Sequence, residues 1–162
     1  MPKTRWEMRR GRIEMNRKEK AMALFESGYN CSQAVVLAFS DLTGIEEQTL
    51  AKIASSFGGG MGRLREVCGA VTGAFMVLGL LYGYDNAETG AKKAEHYMRI
   101  QHFAERFSNE TGSIVCRELL GIDKKKDSPT PDARTAEYYK KRPCRDLVGL
   151  AAEILEEMIE NK

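Results

Sequence analysis

The chain is short of the residues on which several specialised protein classes depend. Only four of its 162 residues are cysteine, too few to staple a disulfide-dense secreted scaffold. No two of them form a C-x-x-C pair, which excludes a local thioredoxin-type motif, a zinc-ribbon knuckle and a C-x-x-C-H haem attachment. Four prolines and 15 glycines without a short repeat exclude collagen-like and low-complexity classes. Excess charge is missing too. Lys and Arg number 25 against 23 Asp and Glu, a net charge of +2, which argues against a dedicated nucleic-acid binder. Histidine is nearly absent: His96 and His102 stand about 600° apart around a helix and cannot chelate as an i, i+4 pair. No Ser-His-Asp set or carboxylate pair supports a hydrolase.

What remains is ordinary for one globular domain: 30% charged and 43% apolar residues, enough chain to bury one core. Residues 1–20 hold eight basic and three acidic side chains with no apolar run after them. The expectation is therefore no secretory signal and a cytoplasmic location. Residues 1–18 read as a solvated basic arm, with contact to an acidic partner or nucleic acid, Trp6 stacking, as the sharper alternative. Residues 19–162 read as a helical domain.

Apolar periodicity predicts helices throughout. Ala21, Leu24 and Phe25 mark the first, stopped by Gly28. Asn30, with Gln33 three residues on, opens a second that runs to Thr43-Gly44. A third covers about 46–57 and breaks at Gly58-Gly59-Gly60-Met61-Gly62. Val67 to Tyr84 carries no charge: 13 apolar residues, four Gly and one Thr. Its length just reaches that of a membrane span, but amphipathic segments surround it, so it is read as the buried central helix of a bundle. Its glycines, Gly69, Gly73, Gly79 and Gly83, favour close backbone approach. Residues 88–107 are amphipathic, with Ala91, Ala94, Tyr97, Ile100, Phe103, Ala104 and Phe107 on the expected inner face. A short helix covers 114–120. Residues 123–137 read as an irregular connection, long enough to suggest a functional loop. A last helix spans 145–160. The fold class is all-α, a single-domain bundle of six to seven helices around the glycine-rich central one.

Cys31, Cys68, Cys116 and Cys144 are all expected in the first turn of a helix, where free N–H groups and the helix dipole lower a thiol pKa. Arg63 and Arg65 precede Cys68, Arg117 follows Cys116, and Arg142 and Arg145 flank Cys144. Each cysteine alone reads more readily as a small buried hydrophobe than as a reactive thiol; joint action has to be assembled by the fold. Gly58, Gly59, Gly60 and Gly62 are candidates for a backbone cradle around an anion or cofactor. They lack the Gly-Lys-Ser/Thr ending of a phosphate loop, and a close-packing turn is the plainer reading.

Asn30-Cys31-Ser32-Gln33-Ala34-Val35, Phe57-Gly58-Gly59-Gly60-Met61-Gly62, Val67-Cys68-Gly69-Ala70-Val71-Thr72-Gly73-Ala74, Cys116-Arg117-Glu118-Leu119-Leu120-Gly121 and a final cysteine before Leu147-Val148 form an ordered set over about residues 20–160. The set resembles the C_GCAxxG_C_C family of redox-active proteins with four cysteines. That resemblance implies that Cys31, Cys68, Cys116 and Cys144 are the family's four. It brings no substrate.

Three functions follow. The first is a redox protein whose cysteines cycle between dithiol and disulfide against an unidentified redox partner, with Cys68 as the attacking thiolate. The second is a metal protein in which the four thiolates hold an iron–sulfur cluster or zinc, both soft-ligand species. The third is a non-catalytic helical interaction module. Four cysteines allow three disulfide connectivities, and spacing does not choose among them. The apolar face of residues 147–159 suggests a homodimer.

Overall fold

The computed structural model describes residues 15–87, 90–123 and 125–160. The basic arm before residue 15, Trp6 included, lies outside the described residues. Arg17 and Lys18, the arm's last basic residues, belong to the first helix.

Helix α1 (Arg17–Glu26) opens on a capping box. The Asn16 side chain accepts the Glu19 N–H, and the Glu19 carboxylate accepts the Asn16 N–H. Helix α2 (Cys31–Ala38) repeats the device with Asn30 and Gln33, as the sequence predicts. It stops sooner than expected. Phe39 leaves the helical region (φ −118°, ψ 13°), and a separate turn, α3 (Ser40–Thr43), ends on left-handed Gly44. Ser40 donates to Glu47 and Thr43 donates to the Ser40 carbonyl, local bonds that compete with a continued ladder. Helix α4 (Glu47–Ser55) then leads into the glycine segment. Central helix α5 (Gly69–Tyr82) is followed by α6 (Gly90–Thr111), the short α7 (Cys116–Leu120), α8 (Ala136–Lys141) and α9 (Cys144–Glu160).

Helix α5 lies in the middle of the bundle, against α2, α6 and α9, while α1 packs along α9. Val71, Ala74, Val77 and Leu78 are fully buried on it, and each large apolar side chain so buried stabilises the fold by about 1.5–3 kcal/mol. Close approach to a neighbouring helix is confined to its first turns; beyond its far end a Cβ on Gly83 would meet the backbone of Gly79. A Cβ on Gly73 would stand 2.8 Å from the Ser32 carbonyl oxygen, whereas one on Gly79 would meet nothing within 4 Å. The expectation for Gly79 is thereby corrected. No helix among the described residues is long and apolar enough to cross a membrane.

Two further expectations change. On α6 only His96, Phe103 and Phe107 are buried. Ala91 and Ala94 are exposed and Tyr97 is 49% exposed, because the helix beneath them ends at Tyr82 and only Tyr84 continues to meet His96 and Tyr97. On α9, Leu147, Val148, Ala151, Ile154 and Leu155 are buried within the chain itself, while Leu150, Met158 and Ile159 of the same face are half-buried. Helix α8, capped by the Thr135 hydroxyl, falls where the sequence suggested irregular chain.

Candidate functional site

Four chain segments separated by tens of residues converge at the N-terminal end of α5. Cys31, Cys116 and Cys144 are the first residues of α2, α7 and α9, and Cys68 is the cap residue just before α5. The expected helix-start placement therefore holds, with Cys68 one residue early. All four line one cavity of about 280 Å³, and all four thiols are free. Cys68 and Cys116 are buried, at 6% and 7% exposure, while Cys31 and Cys144 are half-buried.

Glycines permit the convergence. A Cβ on Gly69 would fall 2.4 Å from Cys31 Sγ, so its absence lets the start of α2 settle onto the start of α5. Gly60 does the same beneath Cys116, whose Cβ would lie 2.6 Å from an added methyl. Between them the chain makes an unusual passage. Residues 59–63 all have φ between 61° and 69°, and Arg65 has φ 58°. The Gly62 N–H donates to the Gly58 carbonyl across this left-handed turn. Left-handed backbone costs a side-chain-bearing residue about 1–2 kcal/mol, and here Met61, Arg63 and Arg65 all adopt it. Strain of this kind persists only where surrounding contacts hold it. Of the cradle candidates, Gly58, Gly59 and Gly62 line the cavity; Gly60 lies under Cys116 instead.

After the turn, the chain pairs with the strand-like segment before α7. Val67 and Val115 form an isolated antiparallel bridge. The Cys68 N–H donates to the Ile114 carbonyl at 2.8 Å, and the Cys116 N–H to the Glu66 carbonyl. Residues flanking a bridge on the two chains share one face as diagonal neighbours, which sets Cys68 beside Cys116.

Arg65 is the residue that the sequence undervalued. It precedes Cys68 but serves Cys116: one guanidinium nitrogen lies 3.6 Å from Cys116 Sγ and the other 3.0 Å from Asp127 Oδ2. Its neighbour Arg63 also reaches Asp127, at 3.2 Å, and Asp132, at 3.6 Å, while Arg142 pairs with Asp132 at 3.0 Å. These pairs strap residues 127–132 over the cysteines and bring Pro129, Pro131 and Arg134 into the cavity wall. Arg134 is fixed by the Phe25 and Tyr29 carbonyls and lies 4.0 Å over the Phe25 ring. Tyr138, from the unforeseen α8, lines the cavity beside Cys144. Arg117 and Arg145 turn elsewhere, to Glu66 and Glu26.

At Cys68, Cys116 and Cys144 the electrostatics reverse the expectation of lowered thiol pKa values. Burial pushes Cys68 well above the ordinary thiol range, and the neighbouring Cys31 adds to the effect. Burial, then Cys31 and Cys116, raise Cys144 to about 12. Cys116 is raised by burial against the opposing pull of Arg65. The helix starts do favour negative charge, but withdrawal from water and the repulsion of several thiolates outweigh them. Cys68 is thus poorly placed as the attacking thiolate. Cys31 contributes to the shifts of all three other cysteines, which makes it the hub of the set. As for a metal centre, no group of three or more His, Cys, Asp or Glu among the described residues is disposed to hold an ion.

No curated protein and no solved structure matches the chain. A family model does, over residues 29–158, from the cap before Cys31 to the last turn of α9, and it spans all four cysteines. On that match the chain belongs to the C_GCAxxG_C_C family, described as "Putative redox-active protein".

Proposed function

We propose that the chain is a thiol–disulfide redox protein in which Cys31 is the entry thiol and one of the other three cysteines closes the internal disulfide. The observation that carries this is the shared cavity: four sulfurs from distant chain positions on one wall system. Cys31 is half-buried, whereas Cys68 and Cys116 are enclosed, so a partner disulfide meets Cys31 before them. The Cys31 sulfur attacks that disulfide, forms a mixed disulfide and expels one partner thiolate, which takes up the proton the attacking thiol released. A second cysteine then attacks Cys31 Sγ, releases the second partner thiol and leaves an internal bridge. Two protein S–H bonds and one partner S–S bond become one protein S–S bond and two partner S–H bonds.

A raised pKa suits the resolving role. An enclosed thiol that stays protonated resists stray oxidation, and the mixed disulfide delivers the sulfur it has to attack. Cys31 acts electrostatically on both Cys68 and Cys144, and both line its cavity, which makes them the candidates to close the bridge.

The donor set also suits an iron–sulfur cluster or zinc by softness, though the cysteines would first have to move together. Purification without oxygen, metal analysis and thiol counting separate the readings. Thiol–disulfide cycling predicts no stoichiometric metal and thiols lost two at a time on titration with a disulfide. Stoichiometric iron or zinc, or four thiols silent until denaturation, contradicts it.

A further inference from the structure

The cavity walls carry a charge that thiol chemistry by itself does not need. Four guanidinium groups, on Arg63, Arg65, Arg134 and Arg142, line the cavity with a single carboxylate, Asp132. Asp127 stands behind it, shared between Arg63 and Arg65. Asp132 is likewise shared, between Arg63 and Arg142. Arg134 spends its hydrogen bonds on two carbonyl oxygens. Two carboxylates thus face four cations.

Arg65 is only 4% exposed, and its Nε has no hydrogen-bond partner. Withdrawing a cation from water is costly unless it is paired and its donors are satisfied, and a surplus of this kind is relieved by an anion. The rest of the wall is largely apolar, with Phe25, Leu119, Leu147, Pro129 and Pro131. Such a lining covers a carbon skeleton, which a bare inorganic ion does not have.

We propose that the cavity binds an organic anion, and that the disulfide exchanged with the cysteines is a small one bearing carboxylates. This rests on the thiol–disulfide reading above and names its substrate class. The carboxylates meet Arg142 and Arg63, the apolar wall covers the carbon chain, and the substrate S–S bond comes to Cys31. The exchange then runs as already written, two protein thiols reducing one substrate disulfide to two substrate thiols.

The test oxidises the fully reduced protein with three small disulfides that differ in charge: dithiodipropionate (dianionic), hydroxyethyl disulfide (neutral) and cystamine (dicationic). Each rate is divided by that disulfide's rate with a free small thiol, which removes intrinsic reactivity. The dianion is expected to react about tenfold or more faster than the neutral compound, and the dication slower still. The advantage should shrink as salt is raised. Arg142→Gln should lower the dianion-to-neutral ratio severalfold, and Asp132→Asn, which frees Arg63 and Arg142, should raise it. Equal normalised rates, or a faster dication, would overturn the anion site while leaving thiol exchange intact. If none of the three oxidises the protein, thiol exchange itself fails. The anion site is then judged by calorimetry with thiodipropionate, a thioether that cannot exchange. Binding that weakens in Arg142→Gln supports it, and no binding overturns it.

Discussion

The two ends of the central helix are built on opposite principles. At its C-terminal end α5 is a greasy rod: Val77 and Leu78 are fully enclosed, Phe75 meets Phe103 edge-on at 6.0 Å, and Gly79 has room around it. At its N-terminal end Gly69 and Gly73 are pressed against Cys31 and Ser32, three non-glycine residues hold left-handed backbone, and buried Arg65 ties a thiol to a carboxylate. The first end is generic packing that tolerates exchange of apolar volume. The second departs from the local rules of stable structure, and such departures gather where a protein does chemistry. The difference marks the N-terminal end as the candidate site independently of any motif.

Substitutions can break that contrast. The largest loss is expected for Gly60→Ala. The new methyl would stand 2.6 Å from the Cys116 Cβ and 2.8 Å from the Arg65 Cα, at φ 69°, which should cost about 3 kcal/mol in chemical denaturation. Next comes Arg65→Gln. It removes the ion pair to Asp127 and the contact to Cys116, and about 2 kcal/mol should be lost. Faster proteolysis across 122–135 should accompany it, since that connection loses its inner tie.

A smaller effect is expected on alkaline stability. Cys144 titrates at about 12 in the folded chain against an ordinary 9.0. Between those values the unfolded chain has released the proton and the folded one retains it, so stability is full below pH 9 and declines as pH rises toward 12. Cys144→Ser, which has no thiol to ionise, should show a shallower decline in urea titrations over that window. At the other end of α5, Gly79→Ala should do least harm and raise stability by about 0.5–1 kcal/mol, the ordinary gain in helix propensity. A loss there as large as at Gly60 would dissolve the distinction.

Much of the scaffold was legible in the sequence because its causes are local. The Asn30–Gln33 box, the left-handed stop at Gly44 and the charge-free stretch that becomes α5 each follow from residues within a few positions of one another. The box at Asn16 and Glu19 was equally available and went unread. The site was legible in part. Four cysteines near helix starts were visible, but their effective acidity depends on burial, which helix position does not report. The passage through Met61, Arg63 and Arg65 was hidden, since non-glycine residues rarely enter left-handed backbone. Arg65 meets Cys116 and Asp127 across 51 and 62 residues, distances over which no periodicity speaks. For the same reason residues 123–137 could be recognised as a long connection, but not as the cover of the site.

Disulfide mapping tests the central claim most directly. Reduced protein is treated with one equivalent of a small disulfide, trapped in acid, digested and read by mass spectrometry, beside a Cys31→Ser variant. The expected product is a single intramolecular bridge from Cys31 to Cys68, Cys116 or Cys144, with no bridge in the variant. Bridges only between chains, or an identical internal bridge without Cys31, would contradict the account.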